Sequence, residues 1–100
     1  MQTVPYEVVR SETFSRWLER LRDRRAQARI IARIDRIEEG NLGDHRSVGG
    51  GISELRIDAG KGYRVYYTFR RKVVVVLLCG GDKSSQQQDI RRARQMATEL

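Results

Sequence analysis

Arg56 and Arg64 flank the turn-forming stretch 58–62 (DAGKG), and Lys83 follows the next apolar run. In a hairpin closed by 58–62 the two arginines can project from one face. With Lys83 they would then form a cationic floor for one phosphate, where positive charge stabilises a pentacoordinate transition state. The alternative is an exposed cross-strand pair balanced by Glu54 and Asp82. Proton transfer has fewer candidates. His45 is the only imidazole, the side chain best suited to general acid–base work, although a lone His in a Gly-rich stretch is also commonly incidental. Asp82 can accept a proton and Lys83 can donate one or stabilise charge; the pair can equally form a salt link at a helix entry.

A second set of cations lies in the N-terminal third. Arg16, Arg20, Arg24, Arg25, Arg29 and Arg33 run through two amphipathic segments, against Glu12, Glu19, Asp23 and Asp35. They read either as a solvated face laced with i,i+4 salt links or as contacts to RNA or the ribosome. Of the 20 basic residues 17 are Arg, and this preference over Lys suits bidentate phosphate contact and base stacking. Other reactive residue types read as structural. Trp17 at helical spacing reads as core, Tyr63 and Tyr66 as core or sheet-face residues, with base stacking as their alternative, and Cys79 as a small buried hydrophobe rather than a nucleophile. Gly49, Gly50 and Gly51 lack the Lys-Ser/Thr of a phosphate-binding loop and read as flexibility.

The elements that position these residues follow from periodicity. Residues 6–10 (YEVVR) predict a strand after Pro5. Ser11 then caps a helix whose stripe is Phe14, Trp17, Leu18 and Leu21, ending near Arg22, and Asp23 caps a second with Ala26, Ile30, Ile34 and Ile37, closed by Gly40. Residues 40–51 (GNLGDHRSVGGG) read as an irregular loop. Residues 52–57 alternate, 63–69 are rich in aromatic and β-branched types, and 73–78 (VVVVLL) are continuously apolar. These predict three strands joined by short hairpin turns, the third in the middle of the sheet and the first strand beside it. Ser84 with Gln87 has capping-box spacing before a last helix carrying Ile90, Ala93, Met96 (or Ala97) and Leu100. The order β-α-α-β-β-β-α predicts an α+β fold with helices packed on a small, largely antiparallel sheet.

Length and composition bound the rest. One hundred residues at +7 net charge and 39% hydrophobic content predict a single folded domain, 1–100, with a polyanionic partner. One Cys and one His leave metal ligands scarce, so no metal is expected, and the single thiol suits a reducing compartment. The longest apolar run has seven residues, far short of the roughly 20 that span a bilayer, so no membrane partner is expected. Residues 1–9 lack a basic segment followed by an apolar one, so no secretory leader is expected and the location by elimination is the cytoplasm.

The succession Phe14-x-x-Trp17-Leu18, Gly40-Asn41-x-Gly43-Asp44, Glu54-Leu55-Arg56-Ile57, Gly62-Tyr63-Arg64-Val65-Tyr66 and Leu77-Leu78-x-Gly80-Gly81-Asp82-Lys83 resembles the RelE/ParE superfamily. It looks most like the HigB-like, phage-derived addiction module killer proteins, toxins of bacterial type II toxin–antitoxin modules. The resemblance implies a microbial-ribonuclease-like α+β domain that cuts mRNA on the ribosome. It also implies that a 2′-OH attacks the adjacent phosphate without metal or other cofactor, and that a helix-turn-helix, HigA-like antitoxin is the partner, contact with it being the alternative to a core role for Trp17. By position, Arg64 falls on the strand arginine of RelE-type toxins, Arg56 on a preceding strand lysine, and Lys83 on the basic residue before the last helix. Glu54 stands where such toxins have another lysine, and Asp89 where many have a C-terminal tyrosine. Two other functions stay open: a ParE-like DNA gyrase poison without nuclease activity, and a basic RNA- or protein-binding adaptor without catalysis.

Overall fold

A computed structural model describes residues 5–100; residues 1–4, part of the stretch where no secretory leader is expected, lie outside the described residues. The order is β1 (Glu7–Arg10), α1 (Glu12–Arg20), α2 (Arg24–Glu38), β2 (His45–Gly49), β3 (Ile52–Ile57), β4 (Tyr63–Arg71), β5 (Val74–Gly81), a 3-10 turn (Lys83–Ser85) and α3 (Gln86–Thr98). The α+β class is as expected, with one strand more. The five strands lie in the order β1-β5-β4-β3-β2, antiparallel except where β1 runs parallel beside β5. The apolar run of β5 is therefore interior, as its unbroken hydrophobicity requires, although β4 takes the central position.

The additional strand, β2, falls in the stretch read as an irregular loop. Gly50 and Gly51, both at positive φ (65° and 78°), form a two-residue turn that returns β2 onto β3. Positive φ at both central positions is what a tight hairpin turn demands, and only Gly meets it without strain. The signal in the sequence is Gly50-Gly51 between HRSVG and ISEL.

Capping sets the helices. Ser11 Oγ accepts the Phe14 N–H at 3.0 Å and donates to the Leu78 carbonyl at 2.7 Å, fixing α1 to β5. Asp23 accepts the Ala26 N–H at 3.0 Å. The α2 C-terminus closes with Gly40 N–H on the Ile37 carbonyl and Asn41 N–H on that of Arg36, Gly40 taking φ 98°. Helix α1 ends at Arg20, two residues before Arg22, with Leu21 as its C-cap. At α3 the expected Ser84–Gln87 box is absent: Asp82 caps the 3-10 turn through the Ser84 N–H, and Ser85 bonds Asp89 instead. Leu100 does not continue the α3 stripe and is 55% exposed.

Two cores lie on opposite faces of the sheet. Helices α1 and α2 bury Phe14, Leu18, Ile30, Ile34 and Ile37 against Leu55, Val65, Tyr67 and Leu77. On the other face α3 brings Ala93, Ile90 and Met96 to Ile52, Tyr66, Leu78 and Cys79. Between Tyr66 and Tyr67 the β4–β5 register shifts, and Leu78 becomes the extra residue opposite them. Past the bulge β5 continues through Gly80 and Gly81, which sequence alone left outside the strand.

Candidate phosphate-binding cleft

Alternation on β3 and β4 sends Glu54, Arg56, Arg64 and Tyr66 to the α3 face. Arg56 and Arg64 are direct cross-strand partners, so the condition for a shared face is met. Two like charges directly opposite repel, and each is offset by a carboxylate. Arg56 reaches Asp44 through Nη2 at 3.0 Å, and its backbone N–H donates to the Asp44 carbonyl. The Arg56 guanidinium holds the exposed Asp44 carboxyl below its ordinary value. Arg64 Nε lies 3.6 Å from Glu54 Oε1.

Glu54 is the single charged side chain fully buried among the described residues. It accepts Arg46 Nε from β2 at 3.2 Å and Gln86 Nε2 from α3 at 2.8 Å, so one carboxylate ties β2, β4 and α3 together. The buried Tyr66 hydroxyl is raised well above its usual pKa, by burial first and then by the Glu54 charge.

Lys83 completes the group. Its stem crosses Gly62, where φ is 76° and a Cβ would collide with Lys83 Cε. Asp44, Arg56, Asp58, Gly62, Arg64 and Lys83, with Ile57, line a cleft of about 320 Å³. Three cations thus converge on a space that admits a phosphate, with strand backbone as its floor.

The other expected site residues are not brought to this cleft. His45 pairs with Leu55, whose side chain belongs to the α1/α2 core, so the imidazole starts from the opposite face; its Nδ1 lies 2.8 Å from the Gly43 carbonyl. Asp82 forms a cap rather than a salt link with Lys83. The Ser84 hydroxyl and N–H, at 2.5 and 2.8 Å, draw its pKa down, and a carboxyl held ionised is a weak base. Cys79 is buried as expected, and burial pushes its thiol up to about 12. Tyr63 and Tyr66 are core residues.

Asp82 lines a second, larger cavity of about 720 Å³ with Trp17, Arg20, Ser85, Asp89 and Arg92. Asp89 was legible only as a departure from a family pattern. Its carboxyl is raised, by burial first, and accepts the Ser85 hydroxyl at 2.5 Å. Gly81 beneath it has no room for a Cβ, which would strike the Asp89 carboxylate. A paired glycine ending an apolar strand is the sequence signal for that close approach.

The helical arginines divide. Arg24 and Arg25 are exposed on the first turn of α2, Arg16 pairs with Glu12, and Arg20 faces the larger cavity. Arg29 instead donates to the Asp58 carbonyl at 2.9 Å. Arg33 donates to the carbonyls of Arg56, Leu42 and Asp44 at 2.6, 3.1 and 3.1 Å. Expected as a contact to RNA, Arg33 is a staple between α2, β3 and the loop before β2, because carbonyls at the end of β3 and in that loop converge on its guanidinium.

Residues 16–98 match the model of the family described as phage-derived, Gp49-like proteins. An uncharacterised protein of Haemophilus influenzae is 56% identical over 88 residues, which cover 88% of this chain and 89% of the relative. Among solved structures, a mutant of the Escherichia coli toxin RelE in the free state superposes with a TM-score of 0.69 at 17% identity, over 89% of this chain and 98% of that one. The toxin–antitoxin complex RelBE2 of Mycobacterium tuberculosis contains a chain that superposes with a TM-score of 0.62 at 22% identity, over 80% of this chain and all of that one. The fold is thus of the RelE type.

Proposed function

This chain belongs to the phage-derived, Gp49-like family, and from that premise we propose that it is the toxin of a type II toxin–antitoxin module, acting as a metal-independent mRNA interferase on the ribosome. The observation that carries the reading is the cross-strand pair Arg56–Arg64 with Lys83 leaning over Gly62. When a ribose 2′-OH attacks the adjacent phosphorus and the bond to the 5′ oxygen breaks, negative charge builds on the non-bridging oxygens. Three fixed cations stabilise that charge more than the ground state, leaving a cyclic phosphate and a 5′-OH. Among the described residues lining the cleft there is neither imidazole nor phenol. The cations supply charge stabilisation, and the proton acceptor is expected either from the Asp44 and Asp58 carboxylates that line the cleft or from groups that meet it with the mRNA on the ribosome. The proposed partner is a cognate antitoxin of helix-turn-helix, HigA-like type that covers the cleft.

Expression of the chain alone should arrest growth with translation, and Arg56→Ala or Arg64→Gln should relieve the arrest by at least tenfold in surviving cells while the purified variants stay folded. Gln removes the charge but can place an amide nitrogen where Arg64 Nε lies beside the buried Glu54. Primer extension on cellular mRNA should find new 5′ ends in wild-type cells and none in the variants. The lack of an imidazole or phenol favours one rival, a ParE-like gyrase poison, which would induce the DNA-damage response without mRNA cuts. A non-catalytic adaptor is the answer if variants of Arg56, Arg64 and Lys83 all behave as wild type.

A further inference from the structure

A larger cavity than the phosphate cleft lies beside it. The space of about 720 Å³ described above runs into another of about 270 Å³ that also holds Thr13, Arg16 and Cys79. Both are lined by Trp17, Arg20, Gly80 and Arg92, so they form one groove between α1 and α3. Its size is in the range of nucleotide-sized ligands.

The groove has a built aromatic wall. The six-membered ring of Trp17 lies on Gly80, where a Cβ would collide with it, and is braced by Phe14 at 5.9 Å and Tyr63 at 6.2 Å between centroids. Yet the ring is only partly buried. Around it stand cations whose donors are not taken up: neither Arg20 nor Arg92 has a hydrogen bond or close ion pair among the described residues. Of the carboxylates on the wall only Asp89 feels one of them, Arg92, whose charge favours its ionised form without a close ion pair. Asp23 and Asp82 are occupied as caps, and Asp89 accepts the Ser85 hydroxyl through Oδ2. A fixed aromatic surface flanked by unpaired arginines is how single-stranded nucleic acid is held, bases on the ring and phosphates on the cations.

We propose that the groove is a nucleotide subsite. It takes one base of single-stranded RNA against the Trp17 ring, the donor edge of that base toward Asp89, and the flanking phosphates between Arg16, Arg20 and Arg92. A carboxylate accepts, so it selects a base with adjacent N–H donors, guanine foremost, over uracil, whose single imino donor lies between two carbonyls. The groove meets the phosphate cleft at one corner: Lys61 and Asp82 line the former, Gly62 and Lys83 the latter. A strand crossing that corner carries its next phosphate to Lys83 and Arg64. The inference rests on reading the chain as an RNA-cutting toxin and deepens it by giving the substrate strand a recognition point away from the cut.

Trp17 is the only tryptophan, so its emission reports on the groove directly. The purified chain is titrated with a fluorescein-labelled 2′-O-methyl hexaribonucleotide containing guanine, which cannot be cut because the nucleophile is blocked, and with the matching hexauridylate. The expected result is saturable quenching of Trp17 together with a rise in label anisotropy, and weaker binding of hexauridylate by roughly tenfold. Arg20→Glu and Arg92→Glu should each weaken binding at least tenfold with unchanged far-UV circular dichroism, and Asp89→Asn should erase the preference for guanine. Binding that leaves Trp17 emission unaltered, equal affinity of the Glu variants and wild type, or no binding at millimolar RNA overturns the proposal. None of these outcomes depends on cutting. The interferase reading fails separately, if Arg64→Gln cells still arrest or no mRNA ends appear.

Discussion

At the scale of single residues, one buried carboxylate decides how the cleft is built. Glu54 is fully buried and joined to Arg46, Arg64 and Gln86, each from a different element. Burying a charge is tolerated only with partners, and removing one side of such a set leaves the rest uncompensated. Glu54→Ala should therefore lower stability by about 3–5 kcal/mol, read from urea unfolding. Glu54→Gln, which keeps a hydrogen-bonding group of the same shape, should lose less and recover part of the growth arrest. Sequence showed Glu54 as an acidic residue in an alternating strand, balancing exposed arginines and standing where RelE-type toxins have a lysine. That it is interior, while Asp44 four residues from Gly40 is exposed and pairs with Arg56, follows from which strand faces carry a helix.

Whole elements depend on side chains that composition counts as surface charge. Arg33 supplies donors to three carbonyls of β3 and the loop before β2, whereas Arg25 is exposed and touches none of them. Arg33→Ala should lose about 1–3 kcal/mol, the cost of orphaned buried groups, and Arg25→Ala less than about 0.5 kcal/mol. Thermal melts of the two variants distinguish a staple from a solvated cation. At the start of α3, Asp82 is the cap that Ser84 was expected to be. Its folded pKa is depressed, so the stability it contributes is present above the ordinary carboxyl value near 4 and is lost as the pH falls through the lower folded value. Asp82→Ala should be weaker by about 1 kcal/mol at neutral pH. The gap should close as the pH falls below about 4, a trend that urea midpoints along the acid limb would reveal.

For the molecule as a whole, +7 charges are carried on a body with a radius of gyration of 12.6 Å. Screening within about 8 Å at physiological salt confines that field to the surface, so affinity for RNA must fall as salt rises. Each phosphate contact on a single strand contributes roughly 0.7 to the slope of log affinity against log salt. Replacing both Arg24 and Arg25 by Ala should reduce that slope by about one if their exposed face meets RNA, while leaving the melting temperature in place. An unchanged slope would confine the contacts to the cleft and the α1–α3 groove.

Periodicity and local chemistry, properties of neighbours along the chain, made most elements legible: Ser11 and Asp23 as caps, Gly40 as a helix end, the strands around residues 58–62, and the α+β class itself. They also placed Arg56, Arg64 and Lys83 in one candidate site. Tertiary structure decided the rest. Opposing register put Arg56 beside Arg64, the same rule sent His45 toward the other face, and carbonyls far along the chain claimed Arg29 and Arg33 while Arg20 and Arg92 make no hydrogen bond among the described residues. Whether an arginine is a ligand contact or a staple depends on which acceptors lie within 3 Å or so of its nitrogens. Those acceptors are brought there by packing, which the order of residues encodes but does not display.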